Sequence, residues 1–80
     1  MSKQGMIEGK GWNSIQARWD EYKGAAKRRW TKLSEQQLHG IRGQRAYLVK
    51  RVQEAYSLSG EEAEREVAAW QTQILAAAHL

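Results

Sequence analysis

The stretch SIQARWDEYKGAAKRRWTKL, residues 14–33, places apolar side chains at Ile15, Trp19, Tyr22, Ala26, Trp30 and Leu33. Steps of three and four residues follow the turn of an α-helix, so these positions draw one continuous stripe along one side. Asn13 and Ser14 are both able to accept hydrogen bonds from free helix amides, which sets the expected start of the first helix. Its expected end is near Thr31, with Gly24 on the polar face at a cost of about 1 kcal/mol relative to Ala.

Outward from that stripe the same period recurs. Ser34 followed by Gln37 has the spacing of a capping box, in which each residue satisfies a free amide of the other, so a second helix begins there. It carries Leu38 and Ile41 inward and is interrupted between Gly40 and Gly43, where a residue without Cβ can turn left-handed. A third helix presents Leu48, Val52 and Tyr56, flanked by Val49 and Ala55, with Tyr47 covering an edge. Ser59 and Glu62 repeat the capping box and open a fourth, which aligns Ala63, Val67, Trp70, Ile74 and Ala77. Connections this short turn successive helices back on one another. The expected fold is all-α: a single small domain, a four-helix mini-bundle with short connections, spanning residues 14–78.

Residues 1–13 carry Gly5, Gly9 and Gly11 among polar neighbours and read as a disordered N-terminal arm. Ile7 and Trp12 are its only candidates for docking, and Trp12 is the one indole expected in water.

Composition narrows what such a bundle can do. At 80 residues a chain buries only about 60% of the surface its unfolded form exposes, so every large apolar side chain is needed for the core and a deep reaction pocket is hard to sustain. The chain has no Cys, which removes disulfides and thiolate metal sites as staples and suits a reducing compartment. No apolar run approaches 18 residues, so neither a membrane span nor a signal-peptide core is expected, and the location expected is cytoplasmic.

The landmarks Ile15, Trp19, Tyr22-Lys23-Gly24, Trp30, Leu33-Ser34, Leu38, Ile41, Gly43, Leu48-Val49, Gln53-Glu54, Tyr56, Glu62-Ala63-Glu64 and Trp70 together resemble the CsbD-like family. The resemblance covers Ile15 to Trp70 without a gap, 56 of the 80 residues. It implies a small helical bacterial protein of the general stress response, for which the family offers no agreed biochemical activity. Departures fall at glycines: Thr31 and Ser57 stand where the family usually turns on Gly, and Lys50 replaces the Gly of its Leu-Val-Gly-Lys step.

Charge is unevenly spread within a net +4. From Ser14 to Lys32 the six cations Arg18, Lys23, Lys27, Arg28, Arg29 and Lys32 face only Asp20 and Glu21, whereas Ser59 to Leu80 has four Glu against Arg65. A basic face of this kind suits phosphates, so the six are the candidate nucleic-acid or anion contacts, and nucleic acid or another acidic partner is the candidate ligand. Lys and Arg also solvate the outer face of helices as a matter of course, and Glu at a helix start suits its dipole. The first helix, aromatic on one side and basic on the other, has the pattern of a peripheral membrane or partner-helix binder as well. A bundle this small needs Trp19 and Trp30 for its core, which argues against that use.

Chemistry has little to work with. A nucleophile needs a base within reach, and the chain offers only His39 and His79, the latter in the tail. Ser34 and Ser59 are already explained as caps. Glu35 and His39, four apart, are expected to form a solvated ion pair, since two ligands fall short of a zinc site. Glu61 to Glu66 lacks the loop spacing of a calcium site. The expectation is a non-enzymatic stress-response protein of unknown molecular activity with no cofactor and no small-molecule substrate. The alternatives are a nucleic-acid-binding protein using the basic face of the first helix, and a membrane or partner-helix binder.

Overall fold

The computed structural model describes residues 11–78, which are helical with no strand. Five helices follow in order: α1 (11–17), α2 (Trp19–Arg29), α3 (Glu35–Ile41), α4 (Arg45–Tyr56) and α5 (Gly60–Ala78). The all-helical class and the single small domain agree with expectation, and the count of four does not. Residues 1–10 of the expected arm lie outside the described residues.

The extra helix comes from a break at Arg18, whose φ of −119° and ψ of 37° leave the helical range. Its amide N–H is shared between the carbonyls of Ser14 and Ile15, both at 3.2 Å. Neither Pro nor Gly stands there, and the anchors on either side supply the cause. The Trp12 indole N–H donates to the Gly43 carbonyl at 2.7 Å, and the Trp19 indole N–H to the Leu38 carbonyl at 2.8 Å. The two segments are thus pinned at separate places, α1 to the turn between α3 and α4 and α2 to α3 itself. The four-residue step from Ile15 to Trp19 keeps the stripe in phase across the break, which is why periodicity alone reads one helix.

Trp12 is the clearest correction. It is 5% exposed and inside α1, so the chain is already packed at a position expected in a wet arm. Asn13 and Ser14, expected as caps, are exposed residues within α1. α2 ends at Arg29, with Trp30 as its cap, two residues before the expected end.

Around these anchors the stripes converge as read. Ile15, Leu33, Leu48, Val52 and Val67 are completely buried, and Leu38 and Ile41 nearly so. Trp70 of α5 sits at the centre of an indole cluster, with ring centroids 6.1 Å from Trp12, 6.5 Å from Trp19 and 5.4 Å from Trp30. Tyr22, Tyr56 and Ile74 are half-buried at the margin, while Ala77, expected inward, is exposed.

Both capping boxes form. Ser34 Oγ accepts from the Gln37 amide at 3.0 Å while Gln37 Oε1 accepts from the Ser34 amide at 2.9 Å. The Ser59–Glu62 pair repeats this at 3.1 and 2.9 Å.

Helix ends account for the backbone exceptions. α4 closes on Ser57 at φ 55°, ψ 45°, and the Leu58 amide reaches back to the Gln53 carbonyl at 3.0 Å, the six-to-one bond of a Schellman turn. A side chain with Cβ is strained in that conformation by about 1–2 kcal/mol. Ser57→Gly is therefore expected to raise the unfolding free energy by about 1 kcal/mol, read as a higher urea midpoint at unchanged slope. A midpoint equal to or below that of the parent would contradict this. Thr31, the other position where the resemblance expects Gly, needs no such relief, because among the described residues the non-glycine positions at positive φ are Arg42 and Ser57.

Candidate functional site

Four of the six cations expected to meet phosphates have partners within the fold. Lys27 Nζ donates to the carbonyls of Leu33 at 2.7 Å and Thr31 at 3.3 Å, satisfying backbone just beyond the end of α2. Arg29 pairs with Glu66 of α5 at 3.2 Å, and Lys23 with Asp20 at 3.3 Å. Lys32 stands over the Tyr56 ring, 5.1 Å from its centroid, and its amide donates to the Tyr56 hydroxyl at 3.1 Å. Arg18 and Arg28 are exposed and make no ion pair among the described residues.

The acidic helix start meets the basic helices directly. Glu64 binds Arg45 at 2.6 Å and Glu66 binds Arg29, so part of the charge asymmetry is spent in fastening α5 to α4 and α2. These pairs are part-exposed, and such pairs contribute little each. They fix orientation more than stability.

The polar side chains considered for catalysis have structural duties. Ser34 and Ser59 are caps, as expected. The Glu62 carboxyl is held below its usual range, first by the hydrogen bond from the Ser59 amide, then by the Ser59 hydroxyl. A depressed carboxylate pKa stabilises the fold above the unfolded value, and the contribution is lost as pH falls through the folded one. His39 differs from expectation: its Nδ1 lies 3.3 Å from Lys23 Nζ, and no bond joins it to Glu35. Among the described residues no three of His, Cys, Asp and Glu converge as a metal site would require.

The feature that sequence reasoning missed is a groove between α3 and α4. It is an open depression of about 500 Å³ lined by Gln36, Gln37 and Gly40 on one side and Tyr47, Lys50 and Arg51 on the other, with Ile41 at its base. A neighbouring depression of about 460 Å³ shares Gln37, Arg51 and Glu54 with it and continues to Lys32. Tyr47 is 53% exposed, the only exposed large apolar side chain among the described residues. Gly40 lies inside α3, and a Cβ built on it would meet nothing within 4 Å. The available signals were the basic excess from Gly40 to Tyr56 and Tyr47 lying off the apolar stripe. Neither reveals a groove until α3 and α4 are placed side by side.

The chain is similar to several bacterial proteins. It is 40% identical over 60 residues to a UPF0337 protein of Nitrosomonas europaea, a match covering 75% of this chain and 64% of that one. It is 45% identical over 53 residues to a UPF0337 protein of Pectobacterium atrosepticum, covering 66% and 77%. It is 39% identical over 54 residues to the UPF0337 protein YjbJ of Escherichia coli K12, covering 68% and 78%. No family model matches the chain, and no solved structure matches it.

Proposed function

Since the chain belongs to the UPF0337 family, we propose that it is a CsbD-like protein of the bacterial general stress response, acting in the cytoplasm through its surface and without catalysing a reaction. One observation carries this reading. The apolar landmarks of the CsbD-like resemblance build the scaffold: Ile15, Trp19, Trp30, Leu33, Leu48 and Trp70 are all buried, and Gly43 turns left-handed between α3 and α4. What the pattern specifies is a way of packing five short helices. The polar members of the pattern have structural partners, Ser34 and Glu62 in the caps and Lys23, Glu54 and Glu64 in ion pairs.

The Ser34 and Ser59 hydroxyls and the four indoles are committed to caps and core, which supports action by association. The membrane reading loses its apolar face, because Trp19 and Trp30 are 6% and 3% exposed. No helix among the described residues is long and apolar enough to cross a membrane.

The test is abundance and consequence in the source bacterium. Protein level, followed by quantitative mass spectrometry through growth arrest, osmotic shock and heat, is expected to rise several-fold, and a deletion strain to recover more slowly than its parent. A constant level together with parental recovery would refute the stress role.

A further inference from the structure

We infer that the groove between α3 and α4 binds single-stranded nucleic acid, with Tyr47 as the stacking platform for a base and Lys50, Arg51 and Lys32 as the phosphate contacts. This goes beyond the stress-response reading and moves the candidate interface from the first basic stretch to α4, keeping only Lys32 of the six cations first considered.

The argument begins with spacing. Tyr47, Lys50, Arg51 and Glu54 stand at i, i+3, i+4 and i+7, so they share one side of α4. That side is the groove wall. Sequence-tolerant binding of a single strand needs an exposed ring inside a basic channel, because any base can stack and the charge tracks the backbone. The other aromatic rings of the described residues are buried or half-buried, and Tyr47 alone is exposed. Three cations, Lys32, Lys50 and Arg51, and one carboxylate, Glu54, line the two joined depressions, and Lys32 reaches them from its place over the Tyr56 ring. Arg51 pairs with Glu54 at 3.2 Å, but both side chains are about half-exposed, so a phosphate can take Arg51 at little cost. A duplex hides its base faces in its own stack, which makes an unpaired strand the ligand that uses the ring.

Gly40, next to last in α3, lines the same groove, and a Cβ built on it would meet nothing within 4 Å. A larger residue there would place its side chain in the groove beside Tyr47 and gain some helix propensity.

The experiment is fluorescence anisotropy of a labelled oligothymidylate and of a duplex of equal length, at about 50 mM and about 200 mM salt. The single strand is expected to bind more tightly, with affinity falling steeply as salt rises. Tyr47→Ala is expected to weaken binding about tenfold with the melting temperature unchanged. Lys50→Gln with Arg51→Gln is expected to flatten the salt dependence. Gly40→Gln separates the groove from the fold: it is expected to raise the melting temperature while weakening binding. Arg28→Gln, outside the groove, is expected to bind like the parent. Absence of salt-sensitive binding would overturn the proposal. So would parental affinity in both Tyr47→Ala and Gly40→Gln, or a loss in Arg28→Gln as large as that in the groove variants. A flat stress response would leave these results untouched, so the two readings fail separately.

Discussion

Trp70→Ala is expected to remove about 3–5 kcal/mol of stability, most of what a chain of this size possesses. Trp70 is 3% exposed and is the one indole that touches the other three. Those three come from α1, from the first residue of α2 and from its cap, so the ring joins α5 to three separate points on the N-terminal half. Truncation leaves a cavity among rings that are themselves held: Trp12 and Trp19 are fixed by their indole hydrogen bonds and cannot collapse into it without breaking them. Edge-to-face contacts between aromatic rings add about 0.5–1.5 kcal/mol per pair beyond area alone. Urea unfolding followed by far-ultraviolet circular dichroism measures the loss. Trp70→Phe, which keeps a ring, is expected to fall between parent and Ala and so gives a readable transition if the Ala variant is unfolded from the start. A loss below about 1 kcal/mol in Trp70→Ala would mean that the cluster is peripheral to stability.

The local rules that act over four residues could be read directly from the chain. Ser34 with Gln37 and Ser59 with Glu62 contain both halves of each cap, and both boxes form. Stripe positions from Ile15 to Leu33 and from Leu48 to Trp70 are buried almost throughout, because period alone decides which side of a helix meets a neighbour. What could not be read depends on distant partners. Trp12 sits among glycines and polar residues that suggest an arm, yet its indole binds a carbonyl 31 residues away. No local pattern encodes that bond.

Charges failed to resolve for the same reason. From the chain alone Lys27 and Arg29 belong to a basic face, whereas in the fold one satisfies carbonyls beyond the end of its own helix and the other ties α2 to α5. Lys50 and Arg51 become one wall of a groove only when α3 lies beside α4. A cation's role follows from what folding brings near it, and composition supplies only the excess.

Gly43→Ala is expected to cost about 2–4 kcal/mol, the sum of a left-handed backbone penalty and a steric one. Gly43 lies at φ 76°, directly after Arg42 at φ 54°, so two successive residues turn left-handed between α3 and α4. A Cβ at Gly43 would stand 2.9 Å from Gln16 Cα and 3.1 Å from its carbonyl oxygen. Those atoms are backbone of α1 and cannot rotate aside. Relief requires α1 to withdraw, and withdrawal strains the Trp12 indole bond to the carbonyl of this same glycine, along with the Trp12 contact to Trp70. Gly24→Ala is the informative contrast, because it lies inside α2 with nothing within 4 Å of a new Cβ, and there the change is expected to add about 1 kcal/mol. Opposite signs from the same chemical change, read as urea midpoints, would locate the demand for glycine in the contact between α1 and the α3–α4 turn. A Gly43→Ala variant within about 0.5 kcal/mol of the parent would show that α1 is free to move, and the docked Trp12 would no longer be part of the fold's foundation.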